Sequence, residues 1–381
     1  MDTVKIGIIG LGNMGSTHAK NISAGKIPGM ELSAVADTSG ERREWAKGTL
    51  PDGVRVFDDA GDMIKSGLVQ AVLIATPHYD HPPLSIEALK AGLHVMCEKP
   101  AGVYVKQVRE MNAVAEKSGR VFALMFNQRT NCTYRKMHEL VHSGRLGAIK
   151  RVSWIVTDWY RTQAYYDAGG WRATWDGEGG GVLINQCPHN LDMLQWICGM
   201  PSRVRAFCHN RKWHDIEVED DVTAYLEFPN GATGTFVTST ADAPGTNRFE
   251  ILMEGGRLLI ERGEKLTLDE LKINEREFCR TEKGGFEKPP CKTRDVETDG
   301  SNEQHNGVLK AFVGNILHGT PLVAHGKEGV HSLALSNAMH LSSWLEKTVE
   351  LPMDEELFLS ELNSRRAGSG RKAGTGAVFE V

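Results

Sequence analysis

The feature that most constrains this chain is the regular alternation of short apolar runs with amphipathic segments through its first third. Runs at 4–10, 31–37, 54–58, 71–77, 94–98 and 121–126 carry almost no polar alternation, the pattern of strands buried on both faces. Helical patterns lie between them at 14–24, 40–47, 82–91 and 105–118. Prolines open the third helix, where a missing N–H costs least, and Gly119 closes the fourth. Six strands separated by helices predict a doubly wound parallel sheet of Rossmann type over residues 1–127.

The segment GLGNMG falls between the first strand and the first helix, with Gly10, Gly12 and Gly15 in a G-x-G-x-x-G spacing. The first glycine permits the tight turn, the second lets a pyrophosphate approach the backbone, and the third lets helix and strand pack closely. The helix start adds unpaired N–H groups and a positive dipole end. Asn13 and Met14 lie in the same loop. Asp37 closes the second strand, where a carboxylate accepts from ribose hydroxyls and repels a 2′-phosphate. NAD is therefore expected over NADP, although Arg42 and Arg43 follow closely.

In open parallel sheets, ligands bind outside the carboxyl ends of the strands. ATPHYDHP ends the fourth strand there, placing Thr76, Pro77, His78 and His81 beside the expected cofactor. Two histidines three residues apart, with no third ligand near, do not make a metal site. MCEKPAG ends the fifth strand at the same edge, where Lys99 can stabilise developing alkoxide charge and Glu98 can orient it or touch the cofactor. Asn127 follows the sixth strand.

Past residue 127 the pattern changes. Alternating, hairpin-connected strands at 149–159, 203–209, 222–228, 232–239, 249–253 and 257–261 predict a large, open, mainly antiparallel sheet in an α+β domain over 128–350. Residues 271–302 read as irregular edge structure, with helices at 302–317 and 329–346 and a partly mobile tail over 351–381.

Within this half, GGWRATWDGEGGGVLINQCPHNLDMLQWICG predicts a helix from about 181 to 198. On it Asn185, His189, Asp192 and Trp196 share one face. His189 is the candidate general base, Asn185 a hydroxyl contact, and Asp192 a group that holds the imidazole, caps a loop or touches substrate. Trp159, Arg161, Trp171 and Arg172 are candidate walls and hydroxyl or phosphate contacts, with Arg172 also facing the cofactor. Each tryptophan serves equally well as packing beneath the glycines.

A formal net charge of −5 without long single-sign runs argues against nucleic acid or an acidic membrane surface as the main partner. Seven scattered cysteines without C-x-x-C fit reduced thiols in a cytoplasm. No basic leader precedes the first strand and no apolar run reaches membrane-spanning length.

Together GLGNMGSTHAKNI, ATPHYDHPPLSIEALKAGLHVMCEKP and GGGVLINQCPHNLDMLQWICGMP resemble the glucose–fructose oxidoreductase / inositol dehydrogenase / MocA family in order and spacing, over nearly the whole chain. The resemblance implies an NAD-dependent sugar or polyol dehydrogenase. Lys99 takes the place of the family's Glu-Lys-Pro lysine. Asn185 and His189 match an Asp-x-x-x-His pair, with the departure that an amide cannot relay a proton. His189 and Lys99 would then carry the proton chemistry. The NQxPHNLD variant resembles a branch acting at the 3-hydroxyl of sugars or glycosides. An NAD-dependent glycosidase working through transient C3 oxidation shares these features, and a non-catalytic NAD-responsive binding protein is a third reading. The open sheet suggests a homodimer or homotetramer.

Overall fold

The computed structural model describes residues 3–370 and 374–376. Strands β1 (Val4–Ile9), β2 (Met30–Ala36), β3 (Arg55–Phe57), β4 (Ala71–Ile74), β5 (His94–Cys97) and β6 (Phe122–Leu124) form the first sheet. Their order is β3-β2-β1-β4-β5-β6, and every neighbouring pair is parallel. All of β4 and all but the first residue of β5 are buried, which is why these runs lack polar alternation. Strand order reverses between β1 and β4, the switch point at whose carboxyl edge ligands bind in sheets of this kind. A short helix, Ala60–Lys65, fills the link from β3 to β4 and was not expected from sequence. Its signal was Asp59, whose side chain caps it by accepting from Asp62 N.

The second sheet contains β7 (Ile149–Val156), β8 (Arg203–Asn210), β9 (Glu219–Glu227), β10 (Thr233–Ser239), β11 (Asn247–Met253), β12 (Gly256–Glu261), β13 (Lys265–Leu271), β14 (Cys291–Asp295) and β15 (Val349–Glu350). They run in the order β14-β13-β12-β11-β7-β10-β9-β8-β15. Each pair is antiparallel except β7 with β10, which is parallel. Along β7, Val152, Trp154 and Val156 are buried while Ile155 points outward. Trp154 stacks on Phe249 with ring centres 4.1 Å apart, a cross-strand pair that fixes the β7–β11 register. Helix Gly329–Trp344 lies against β8, and helix Pro188–Cys198 packs on Gly329–Trp344. The outer face carries Ile155, Phe207, Tyr225 and Leu252, all exposed.

Three sequence expectations need correction. The stretch 271–302 is not irregular throughout: it holds the helix Glu275–Thr281 and the edge strand β14. The helix expected from about 181 begins only at Pro188, after a run of turns. Three glycines make 179–181 a poor helix start, and Gly179 sits at φ +84°. The tail expected over 351–381 contains the helix Glu355–Ala367, capped by Asp354, with Phe358 and Leu362 buried. Phe358 stacks on Trp344. Thr375 N then bonds Asp167 O at 2.9 Å, so the chain returns toward the glycine-rich segment. Residues 371–373 and 377–381 of that expected tail lie outside the described residues.

Candidate active site

At the first βα turn, Gly10 adopts φ +89°, and a Cβ there would meet Ala75 O at 2.7 Å. A Cβ on Gly15 would lie 1.8 Å from Gly10 O, whereas one on Gly12 would meet nothing within 4 Å. Two glycines are thus required by the fold, and the third leaves the helix N-terminus open to a ligand, the cradle a dinucleotide pyrophosphate needs. Asn13 and Met14 form the first turn beside it, both half-buried. Asp37 follows β2 and accepts from Leu11 N at 2.6 Å and Ser39 N at 2.8 Å. Its carboxylate therefore lies against the phosphate loop. Arg42 Nε donates to Leu11 O and stacks on Trp45, and Arg43 donates to Asp37 O and Thr38 O. Both guanidinium groups are engaged by the backbone, which leaves the acid as the distinguishing charge at this position.

Thr76 and Asn127 stand past the ends of β4 and β6. Thr76 Oγ1 and Asn127 Oδ1 are buried without a hydrogen-bond partner, an arrangement that calls for a ligand. Asn127 Nδ2 donates to Gln304 Oε1 at 2.5 Å. Pro77 starts the short turn leading to His78. His78 is buried and its Nδ1 lies 3.2 Å from Glu178 O, tying the crevice to the glycine-rich segment.

His81 is placed differently from the cofactor contact expected. It is 1% exposed, and its two ring nitrogens face Pro100 O at 2.7 Å and Thr76 O at 2.8 Å. It braces the two strand-end loops against each other and has no polar atom left for a ligand.

Glu98 is 4% exposed. Its Oε1 pairs with His18 Nε2 at 2.7 Å and its Oε2 accepts from Lys99 N at 3.1 Å. Burial alone would raise its pKa, but the His18 bond and the positive groups around it bring it to about 2. Lys99 Nζ donates to the backbone carbonyl of Asn185 at 2.8 Å. Burial lowers its pKa, Glu98 and Glu178 oppose the shift, and Arg172 and Arg161 add to it.

His189 lies in the first turn of helix Pro188–Cys198, 8% exposed, with its ring edge toward Phe126. Its Nδ1 is buried without a partner. Burial, then the charge of Lys99, hold its pKa well below 6.5. Asn185 precedes this helix rather than standing on it, and Nδ2 of its side chain donates to Glu178 Oε1. Arg172 stacks between Tyr165 and Trp171, donates to Tyr165 Oη at 3.0 Å and lies 4.0 Å from Glu178. Trp171 also packs against His78. Arg161 stacks over Trp159 and Tyr165.

Asp192 does not join this group. It is fully buried and receives Arg129 Nε at 2.8 Å, Arg129 Nη2 at 2.7 Å and Gln195 Nε2 at 2.9 Å. Its oxygens hold an internal ion pair, so it neither orients His189 nor reaches the cleft. Trp196 stacks on His138, away from the site.

Three contributors were missed. Glu178 stood in plain sight in GEGGG, an acid among four glycines. His18 lies on the helix that follows the phosphate loop. His305, near the start of helix Gln304–His318, contacts the His18 ring at 5.6 Å; burial lowers its pKa, and its protonated form lowers the pKa of Glu98 and of His189. It lies over two hundred positions from Glu98, so no local pattern connects them. Among the described residues, no group of three or more His, Cys, Asp or Glu side chains is placed to hold a metal ion, and no helix is long and apolar enough to cross a membrane.

A phosphate-cradling turn, an acidic strand end and a lysine–histidine cluster at one crevice define a dinucleotide-binding oxidoreductase class. Residues 4–126 match the oxidoreductase family described as NAD-binding Rossmann fold, and residues 134–259 match the GFO/IDH/MocA C-terminal domain. The two matches together cover more than half of the chain, which belongs to the Gfo/Idh/MocA family. It is 30% identical to the rhizopine catabolism protein MocA of Rhizobium meliloti over 52% of this chain, an alignment spanning only 58% of that relative. It is 27% identical to the D-glucoside 3-dehydrogenase of Escherichia coli K12 over 91% of this chain and 97% of that protein. Among solved structures, the WlbA dehydrogenase from Chromobactrium violaceum in complex with NADH and UDP-GlcNAcA superposes with a TM-score of 0.80 at 26% identity, covering 93% of this chain and 97% of that one.

Proposed function

We propose that the chain is an NAD-dependent dehydrogenase that oxidises a secondary hydroxyl, the one at C3, of a sugar, glycoside or anhydrosugar. The observation that carries this reading is the link between Lys99 and Asn185 at 2.8 Å, beside a buried His189 whose pKa is held well below 6.5 by burial and then by the Lys99 charge. The E. coli relative named a D-glucoside 3-dehydrogenase and the sugar nucleotide in the WlbA complex support the substrate class.

Bound NAD supplies the hydride acceptor. The remaining work falls to the chain. Asp37 and the open face at Gly12 hold and orient the dinucleotide, with Thr76 Oγ1 and Asn127 Oδ1 offering it polar contacts. Lys99 keeps two N–H donors beyond the one engaged by Asn185 O, and these meet the reacting oxygen and stabilise negative charge as it develops. His189, unprotonated at neutral pH, accepts the hydroxyl proton. Asn185 holds a neighbouring hydroxyl. Trp171 and Arg161 wall the sugar. The exposed outer face of the second sheet is read as a surface for self-association into a dimer or tetramer, which sedimentation checks.

The deciding experiment offers pyranosides, inositols and anhydrosugars with NAD, following reduced cofactor and released aglycone together. The expected result is stoichiometric NADH and a 3-keto product. Release of aglycone without net NADH would reassign the protein as a glycosidase, and binding of NAD with no turnover on any member would remove the enzymatic reading.

A further inference from the structure

Nothing in the proton transfer above requires Glu178, yet a carboxylate that is 1% exposed stands directly behind the site. Its Oε2 accepts from Ala173 N at 2.5 Å. Its Oε1 accepts from Asn185 Nδ2 and lies 4.0 Å from the Arg172 guanidinium. Both oxygens thus receive N–H donors, the pattern of an ionised carboxylate, which only accepts; burial raises its pKa, and Arg172 with the donors from Ala173 and Asn185 opposes that rise.

The identity of the partner settles which end of the Asn185 amide faces which way. A carboxylate at Oε1 requires the NH2 group opposite it, because an amide oxygen there would put two acceptors together. The Asn185 oxygen is therefore turned away from Glu178. Among the described residues Oδ1 takes part in no hydrogen bond, and it is not among their buried polar atoms that lack a partner. The backbone carbonyl of the same residue holds Lys99 Nζ, so residue 185 ties the ammonium and Glu178 together.

We propose that Glu178 is a positioning residue that locks the Asn185 side chain with NH2 inward and Oδ1 toward the cleft, so that the site accepts at this point only a substrate group that donates a hydrogen bond. The proposal rests on the reading of the site as a sugar dehydrogenase, and it names what that site selects: a hydroxyl beside the reacting carbon, in preference to a fluorine or an ether oxygen. It also accounts for the amide at position 185. With a buried carboxylate already in contact, a second one there would set like charges together in a site with little water.

The test uses the full chain, the best substrate of the panel, and analogues in which each hydroxyl in turn is replaced by fluorine. In the unaltered protein, one position should show a loss in kcat/KM of about tenfold to a hundredfold, the cost of an unmet acceptor. Glu178→Gln lets the amide turn over, and the preference at that position should shrink by about tenfold, mainly through KM. NAD affinity and melting temperature should stay near those of the unaltered protein. Asn185→Asp alone should lose turnover, and Glu178→Gln combined with Asn185→Asp, which restores a single negative charge, should recover part of it. Unchanged hydroxyl preference in Glu178→Gln overturns the lock. So does a joint loss of NAD affinity and melting temperature, which would make Glu178 a residue of the fold alone. If no sugar is turned over by the unaltered protein, the functional reading fails by itself. The lock is then read from the side-chain amide resonances of 15N-asparagine-labelled protein: Asn185 NH2 exchange slower than in Glu178→Gln supports it, and equal rates refute it.

Discussion

The Lys99 ammonium and the Asn185 backbone carbonyl meet at 2.8 Å, linking the end of β5 to the turn before helix Pro188–Cys198. A main-chain acceptor fixes the direction of the ammonium without neutralising it. Glu98, the adjacent carboxylate, is turned aside toward His18 and the Lys99 backbone N–H. The charge is therefore held at a defined point with no second hydrogen bond from Nζ among the described residues, which is the preorganisation the proposed alkoxide-forming step needs.

Replacing that charge tests it directly. Lys99→Met keeps an unbranched side chain of similar length and removes the ammonium. Turnover should fall by about 10² to 10⁴, while NADH affinity, followed by protein fluorescence, stays within a few-fold. Near-normal turnover would remove Lys99 from the chemistry.

The pH profile follows from two lowered values. His189 is held well below 6.5 by burial and then by Lys99. The proposed base therefore stays unprotonated through the mildly acidic range, and kcat/KM should decline only well below pH 6.5. Lys99 is lowered from 10.5 by burial, with Arg172 contributing. The alkaline decline, where the ammonium is lost, should begin earlier than for an ordinary lysine. Arg172→Gln removes one of the positive neighbours and should move that alkaline limb upward. A limb that stays in place would show that another group controls it.

The glycine turn separates fold from cofactor binding. A methyl at Gly12 meets no protein atom within 4 Å and its φ is −63°, whereas at Gly15 it would lie 1.8 Å from Gly10 O. Gly12→Ala should melt like the unaltered protein without NAD yet bind NAD about tenfold or more weakly, because the methyl occupies the approach of the pyrophosphate. Gly15→Ala should lower the melting temperature in the absence of any ligand. Calorimetry with and without NAD reads both.

The parallel sheet was legible because its strands are buried on both faces and announce themselves as unbroken apolar runs, with GLGNMG fixing the first turn. The phosphate loop, Asp37 and the Lys99 strand end follow from local order alone. What sequence did not reveal depends on distant pairing. Asp192 looked available on a helix face until Arg129, sixty-three positions away, took both its oxygens. His81 read as a cleft residue because its position at the end of β4 says nothing about the two carbonyls that bracket it. Asn185 read as helical because the 3.6-residue spacing continues backward from His189, while the glycines ahead of it favour turns. His305 had no local signal at all.

The buried Glu98–His18 pair makes a prediction about stability. The carboxyl has a folded value of about 2 against an ordinary 4.5. A carboxyl depressed in this way stabilises the fold fully above pH 4.5, and its contribution disappears as pH falls from 4.5 toward 2. His18→Gln keeps a polar side chain but cannot present the same ring nitrogen at 2.7 Å. At neutral pH it leaves one buried carboxylate oxygen short of its strongest partner, a cost of roughly 2 to 4 kcal/mol. The variant should therefore melt well below the unaltered protein at pH 7, and the gap should narrow as pH drops through the interval from 4.5 to 2, where the carboxyl of the unaltered protein also protonates. Thermal unfolding at a series of pH values measures this. A gap that stays constant across that interval would mean that the histidine supports the fold through packing and not through the charge of Glu98.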